Sequence, residues 1–119
     1  KVLQIEARLL LAKGEEVSAI SALEKIVERN PLDGESILIL ADYYGRNEKT
    51  EEAELFYQRA EQIAEFEIRA KISHAQFHVQ RNDFNKALPL LKEAQSKRPR
   101  DNVQRYLDQV EKLAKLKTR

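Results

Sequence analysis

Three stretches of the chain decide its fold: KGEEVSAISALEKIVERNP (residues 13–31), NEKTEEAELFYQRAEQIAE (residues 47–65) and RNDFNKALPLLKEAQSKRP (residues 81–99). They stand over one another at a spacing of 34 residues. Ala19, Ala53 and Ala87 fall in one column, and Ile26, Ala60 and Ala94 in another. Upstream, Ala7, Ala41 and Ala75 form a third column of small residues. Asn30-Pro31 and Arg98-Pro99 lie two periods, 68 residues, apart, as do Asp33 and Asp101. Small side chains let helix axes approach closely, so a fixed period with small residues in phase marks a stack of helical hairpins.

Composition agrees with an all-helical chain. Charged residues make up 34% and hydrophobic residues 42%, with only three glycines and three prolines. The apolar positions, among them Leu10, Ile20, Leu23, Ile26 and Val27, recur with a helical period. Gly14, Asn47 and Asn82 mark the turns inside the hairpins. Thr50, Asp83 and Asp101 are placed to cap the helices that follow them. Pro89 falls inside a helix, past its first turn, where its missing N–H and ring clash cost up to ~3 kcal/mol or kink the helix.

The pattern resembles the tetratricopeptide repeat family, whose unit is a helix–turn–helix of this length with small residues where its two helices meet. The resemblance covers essentially the whole chain. It implies an all-α, right-handed α-solenoid of three antiparallel hairpins with a seventh, capping helix. The repeats run at about 1–32, 33–66 and 67–100, and the capping helix over 101–119, in one domain. Departures from the family pattern are visible. Leu3, Ile37 and Lys71 stand where the family has a tryptophan, and His74 where leucine is usual. Glu65 replaces the terminal proline between repeats two and three, which leaves open a turn or a continuous helix at Glu65-Phe66.

The two ends differ. In the last segment Val103, Tyr106, Leu107, Val110, Leu113 and Leu116 form one apolar stripe backed by charge, as a cap over the last hairpin requires. The first helix is apolar on more than one face: Leu3 and Leu10 suit the hairpin partner, while Ile5, Leu9 and Leu11 need other cover. The expectation is a fragment of a longer repeat protein with further hairpins upstream; the alternatives are a homodimer through this face or a share for it in the binding groove.

Net charge is +1, so the whole-domain field selects no class of partner. Residues 1–91 carry 12 basic and 16 acidic side chains, and residues 92–119 carry 9 and 4, so the excess of base lies at the C-terminal end. The basic end lacks interleaved aromatics beyond Tyr106, and no nucleic-acid partner is expected. No signal sequence and no apolar run of spanning length is present, so no membrane partner is expected and the compartment stays open, the cytoplasm being preferred. The absence of cysteine excludes disulfides, thiolate metal sites and thiol catalysis within this chain.

One pair of residues could carry chemistry. His74 and His78, four apart, place two imidazoles on one helix face, as zinc sites do. Ala75 stands where a zinc protease needs its glutamate, and no third ligand is evident in the sequence. The pair reads as packing residues. No enzyme activity, cofactor or metal is expected.

Function is therefore expected in the groove. By the resemblance, the first helices of successive hairpins line a concave surface for a peptide segment or a partner helix. Carried over by register, that surface comprises Gln4, Arg8, Leu11 and Ala12, then Leu38, Asp42, Gly45 and Arg46, then Arg69, Ile72, Gln76, Val79 and Gln80. Some family members clamp acidic C-terminal tails with lysine, asparagine and arginine. The matching positions here hold Gln4, Arg8, Ile39, Arg69 and Ser73, of which only Arg69 is comparable, so that mode is not expected. A protein or peptide anchored on Leu38, Ile72 and Val79 fits better.

Overall fold

The period seen in the sequence returns in the backbone. The computed structural model describes residues 2–117, with side chains from Ile5 onward. Among the described residues, seven α-helices follow one another: α1 (Val2–Ala12), α2 (Glu16–Arg29), α3 (Gly34–Arg46), α4 (Thr50–Glu61), α5 (Glu67–Gln80), α6 (Phe84–Lys97) and α7 (Asp101–Lys117). A short 3-10 turn, Ala64–Phe66, separates α4 from α5. No strand occurs among the described residues. The second helices of the three hairpins begin at Glu16, Thr50 and Phe84, 34 residues apart. Among the described residues, positive φ occurs at Gly14 (82°), Glu48 (59°) and Asn82 (62°), again one per period. Each sits between the two helices of a hairpin. Left-handed backbone there lets the chain reverse in two or three residues, which glycine and asparagine tolerate most readily. In the second hairpin the left-handed residue is Glu48; Asn47 has φ −103° and donates its side-chain amide to the Tyr43 carbonyl at 2.8 Å.

Contacts run mainly between consecutive helices, and the molecule is elongated, 46 × 27 × 23 Å. The alanine columns lie inside the molecule: Ala7, Ala19, Ala41, Ala53, Ala75 and Ala87 are completely buried. Around them sit two apolar cores. The first takes Leu23, Ile37, Leu40, Tyr57 and Phe77 from α2 to α5, and the second takes Ala75, Leu91, Leu107 and Val110 from α5 to α7. Burial of each large aliphatic side chain contributes roughly 1.5–3 kcal/mol.

Of the two alternatives left open at Glu65-Phe66, the chain takes the turn, breaking between α4 and α5 at the 3-10 segment. Two expected helix caps are corrected. Thr50 is the first helical residue of α4, behind Lys49, and Asp83 makes no side-chain cap bond. A side-chain cap does form at Asp33, whose Oδ1 accepts the Ser36 N–H at 3.1 Å. α6 runs unbroken through Pro89, which is exposed, as is Asn85 one turn earlier. In α7 the buried stripe is Val103, Leu107, Val110 and Ala114, while Leu113 and Leu116 are exposed. The Lys117 ammonium donates to the Asn82 carbonyl, which ties the end of α7 to the turn of the third hairpin. No helix among the described residues is long and apolar enough to cross a membrane.

Candidate functional site

The expected groove residues fall on α1, α3 and α5. Gln4 lies on α1, but its side chain is outside the described residues. Arg8 is exposed and pairs with Glu35 of α3 at 3.2 Å; Leu11 is half-buried. Leu38 departs from expectation. It is only 3% exposed and belongs to the first core, so it offers a partner almost no surface. Its own side chain is enclosed by packing, although Asp42 on the same helix face stays exposed, and this removes Leu38 from the binding set.

The remaining expected residues of α3 and α5, apart from Val79, line two adjoining depressions, while Ala12 of α1 lines neither. The first lies between α3 and α5, is about 230 Å³, and is lined by Asp42, Arg46, Tyr57, Ser73, Gln76 and Gln80, together with Gly45 and Phe77. The buried Tyr57 hydroxyl donates to Asp42, and burial followed by that bond pushes its pKa well up. Arg46 reaches Glu16 of α2 at 3.9 Å. Val79, half-buried, packs against the second core instead of lining this depression.

The second depression, about 500 Å³, lies between α5 and α7 and the segments before them. Ile68 and Ile72 supply apolar surface, with the largely buried Val103 behind the lining, and Arg69, Arg98 and Arg100 surround it with Glu65. Ser73 lines both depressions, so they adjoin along α5. Arg98, Arg100, Asn102 and Val103 were not in the expected set. The excess of basic residues at the C-terminal end was the sequence signal for the two arginines.

Arg69 is already engaged. Its guanidinium donates to both Glu35 oxygens, at 2.8 and 3.1 Å. That fork holds the Glu35 carboxyl below its ordinary pKa against the cost of burial, with Arg8 adding to it. Glu35 and Arg69 are one period apart, so the bond joins equivalent positions on successive hairpins. An acidic ligand reaching Arg69 has to compete with Glu35.

The histidines form a separate cluster between α4 and α5. His74 and His78 are 5% and 4% exposed. Glu61 accepts from His74 Nδ1 at 2.6 Å, and the His74 ring stacks on Tyr57 at 5.2 Å and 13°. His78 Nε2 lies 3.6 Å from Glu54 Oε1, too long for a hydrogen bond. Burial, then the neighbouring His74, lowers the His78 pKa, with Lys86 acting in the same sense and Glu54 and Asp83 opposing. His74 Nε2 and His78 Nδ1 are buried without hydrogen-bond partners. The third ligand not evident in the sequence is present in space: Glu54, His74 and His78 bring ligand atoms within 4.8 Å of one another. The sequence hid it because Glu54 comes from the preceding hairpin.

Comparison with known proteins adds one finding. No curated protein matches the chain. The family model ChAPs (Chs5p-Arf1p-binding proteins) matches residues 1–110 of the 119. A chain of successive α-helices, matched over nearly all its length by that model, belongs to the ChAPs family.

Proposed function

We propose that this chain is a non-enzymatic protein-binding module, and that its α3–α5–α7 side receives a peptide segment or partner helix. The stack is read as a right-handed solenoid of tetratricopeptide type, with α7 as its cap. The family description supports binding to protein, since it names Chs5p and Arf1p. The observation that carries the site is the pair of adjoining depressions along α5. In the larger one, the half-buried Ile68 and Ile72 offer apolar anchorage beside Arg98 and Arg100, which suits an apolar segment with acidic flanks. No nucleic acid or membrane is required by this reading.

The test is binding of purified Chs5p and Arf1p to wild type and to Ile72→Glu. Ile72 is half-buried at the depression, so the variant is expected to keep its helical signal and lose at least tenfold in affinity for one of the two. Equal affinity in the folded variant, or no binding by wild type, would remove the reading. Leu38→Glu is unsuitable, because it places a charge in the core.

A second reading rests on α1. Ile5 and Leu9 are 58% and 55% exposed on the same helix, as a self-association face requires. Solution mass separates the two: a dimer in wild type that dissociates in Leu9→Glu favours self-assembly.

A further inference from the structure

We propose that Glu54, His74 and His78 form a binding site for a late first-row divalent cation such as zinc, which would fasten α4 to α5. This goes beyond the partner-binding face and does not depend on it.

Three observations carry the site. The ligand atoms of the three side chains lie within 4.8 Å of one another. His78 Nε2 and Glu54 Oε1 are 3.6 Å apart, close to the edge of roughly 3.3–3.5 Å set by a tetrahedral ion with bonds of about 2.0–2.1 Å. His74 is already oriented as a ligand. With Glu61 accepting from Nδ1, the neutral ring keeps its lone pair on Nε2, and that nitrogen is buried with no hydrogen-bond partner. A carboxylate behind a histidine is the outer-sphere arrangement that metal sites use to fix the tautomer and raise ligand basicity.

Charge and access agree. The Glu54 and Glu61 carboxylates together balance a dication. Two imidazoles and one carboxylate suit zinc, nickel or copper, and disfavour magnesium and calcium, which take oxygen ligands. The Glu54 side chain is 35% exposed, which gives the ion an entry path and leaves room for a water in the fourth position. The donors come from two hairpins: Glu54 from α4, and both histidines from α5. The ion would therefore act as a clip between hairpins at a junction that lacks a side-chain cap.

The experiment uses the purified, tag-free chain, stripped with chelator and titrated with Zn²⁺ by calorimetry, with Co²⁺ as a spectroscopic probe. The expected result is saturable 1:1 uptake, a visible Co²⁺ band of low-symmetry coordination, and a rise of several degrees in Tm with Zn²⁺ but not Mg²⁺. Glu54→Gln, at a partly exposed position, should weaken Zn²⁺ at least tenfold. Glu61→Gln should weaken it 10- to 100-fold through the tautomer it sets, and exposed Glu51→Gln should change nothing. Absence of 1:1 uptake by folded wild type overturns the site. So does uptake that survives both Glu54→Gln and Glu61→Gln unchanged.

Discussion

The chain passes from hairpin to hairpin in different ways at its first two junctions. Between α2 and α3 the turn is closed locally. Asn30 Oδ1 accepts the Leu32 N–H at 3.2 Å, Asp33 Oδ1 accepts the Ser36 N–H, and Pro31 cannot continue a helix. Between α4 and α5 there is no proline, and Phe66 leads into α5 without a side-chain cap. That turn is held by residues remote in sequence. The Phe66 ring lies so close against Gly34 that an added Cβ would clash with its ring carbons. Lys71 bridges Glu67 and Glu93, at 2.8 and 2.6 Å, and Lys97 also reaches Glu67. One junction is written in its own four residues; the other is made by the fold around it.

The comparison can be broken at its widest point by Gly34→Ala. The new methyl must displace the Phe66 ring, and a cost of about 1–3 kcal/mol is expected in chemical denaturation. In a Phe66→Ala background the same substitution should cost almost nothing, and additive losses would show that the ring is not what holds the second junction. Next comes the local junction. Asp33→Ala should cost about 1 kcal/mol, the ordinary loss for a helix N-cap, with no coupling to Phe66. The turns within hairpins sharpen the contrast, since all three use left-handed backbone. Glu48→Gly should raise stability by up to about 1 kcal/mol by relieving a strained residue; a loss instead would mean that its side chain has a supporting role. The smallest effect is a slope in acid. Hydrogen bonds from Lys71 and then Lys97 lower the Glu67 pKa from its ordinary value of 4.5 to about 2. The stabilisation it gives is fully present above about pH 4.5 and is lost as pH falls through about 2, below which the carboxyl is protonated in both states. Glu67→Gln should flatten that part of the pH–stability profile, and salt should flatten it in wild type.

Much of the fold was legible because period and packing coincide. The alanine columns predicted the helix crossings, and those alanines are buried without exception. What escaped is what depends on neighbours distant in sequence. Leu38 shares a helix face with Asp42, and periodicity could not say that Leu38 is enclosed by the core while Asp42 stays at the surface. The 3-10 turn at Ala64–Phe66 carries no breaker of its own. Glu48 adopts backbone that its residue type disfavours, so the turn pointed to Asn47 instead. At the candidate site, Asp42, Arg46, Gln76 and Gln80 meet as the register implied. Arg98 and Arg100 join Arg69 only because the chain returns to α5 ahead of α7.

Both cores claim a share of α5: Ala70 and Phe77 lie in the first, and Ala75 in the second. That helix is thus a party wall. A partner seated against its outer side, beside Ile72, would brace a partition that two rooms have in common. Amide exchange should then slow in α2 and α6 together, although neither helix lines the depressions that would hold the guest.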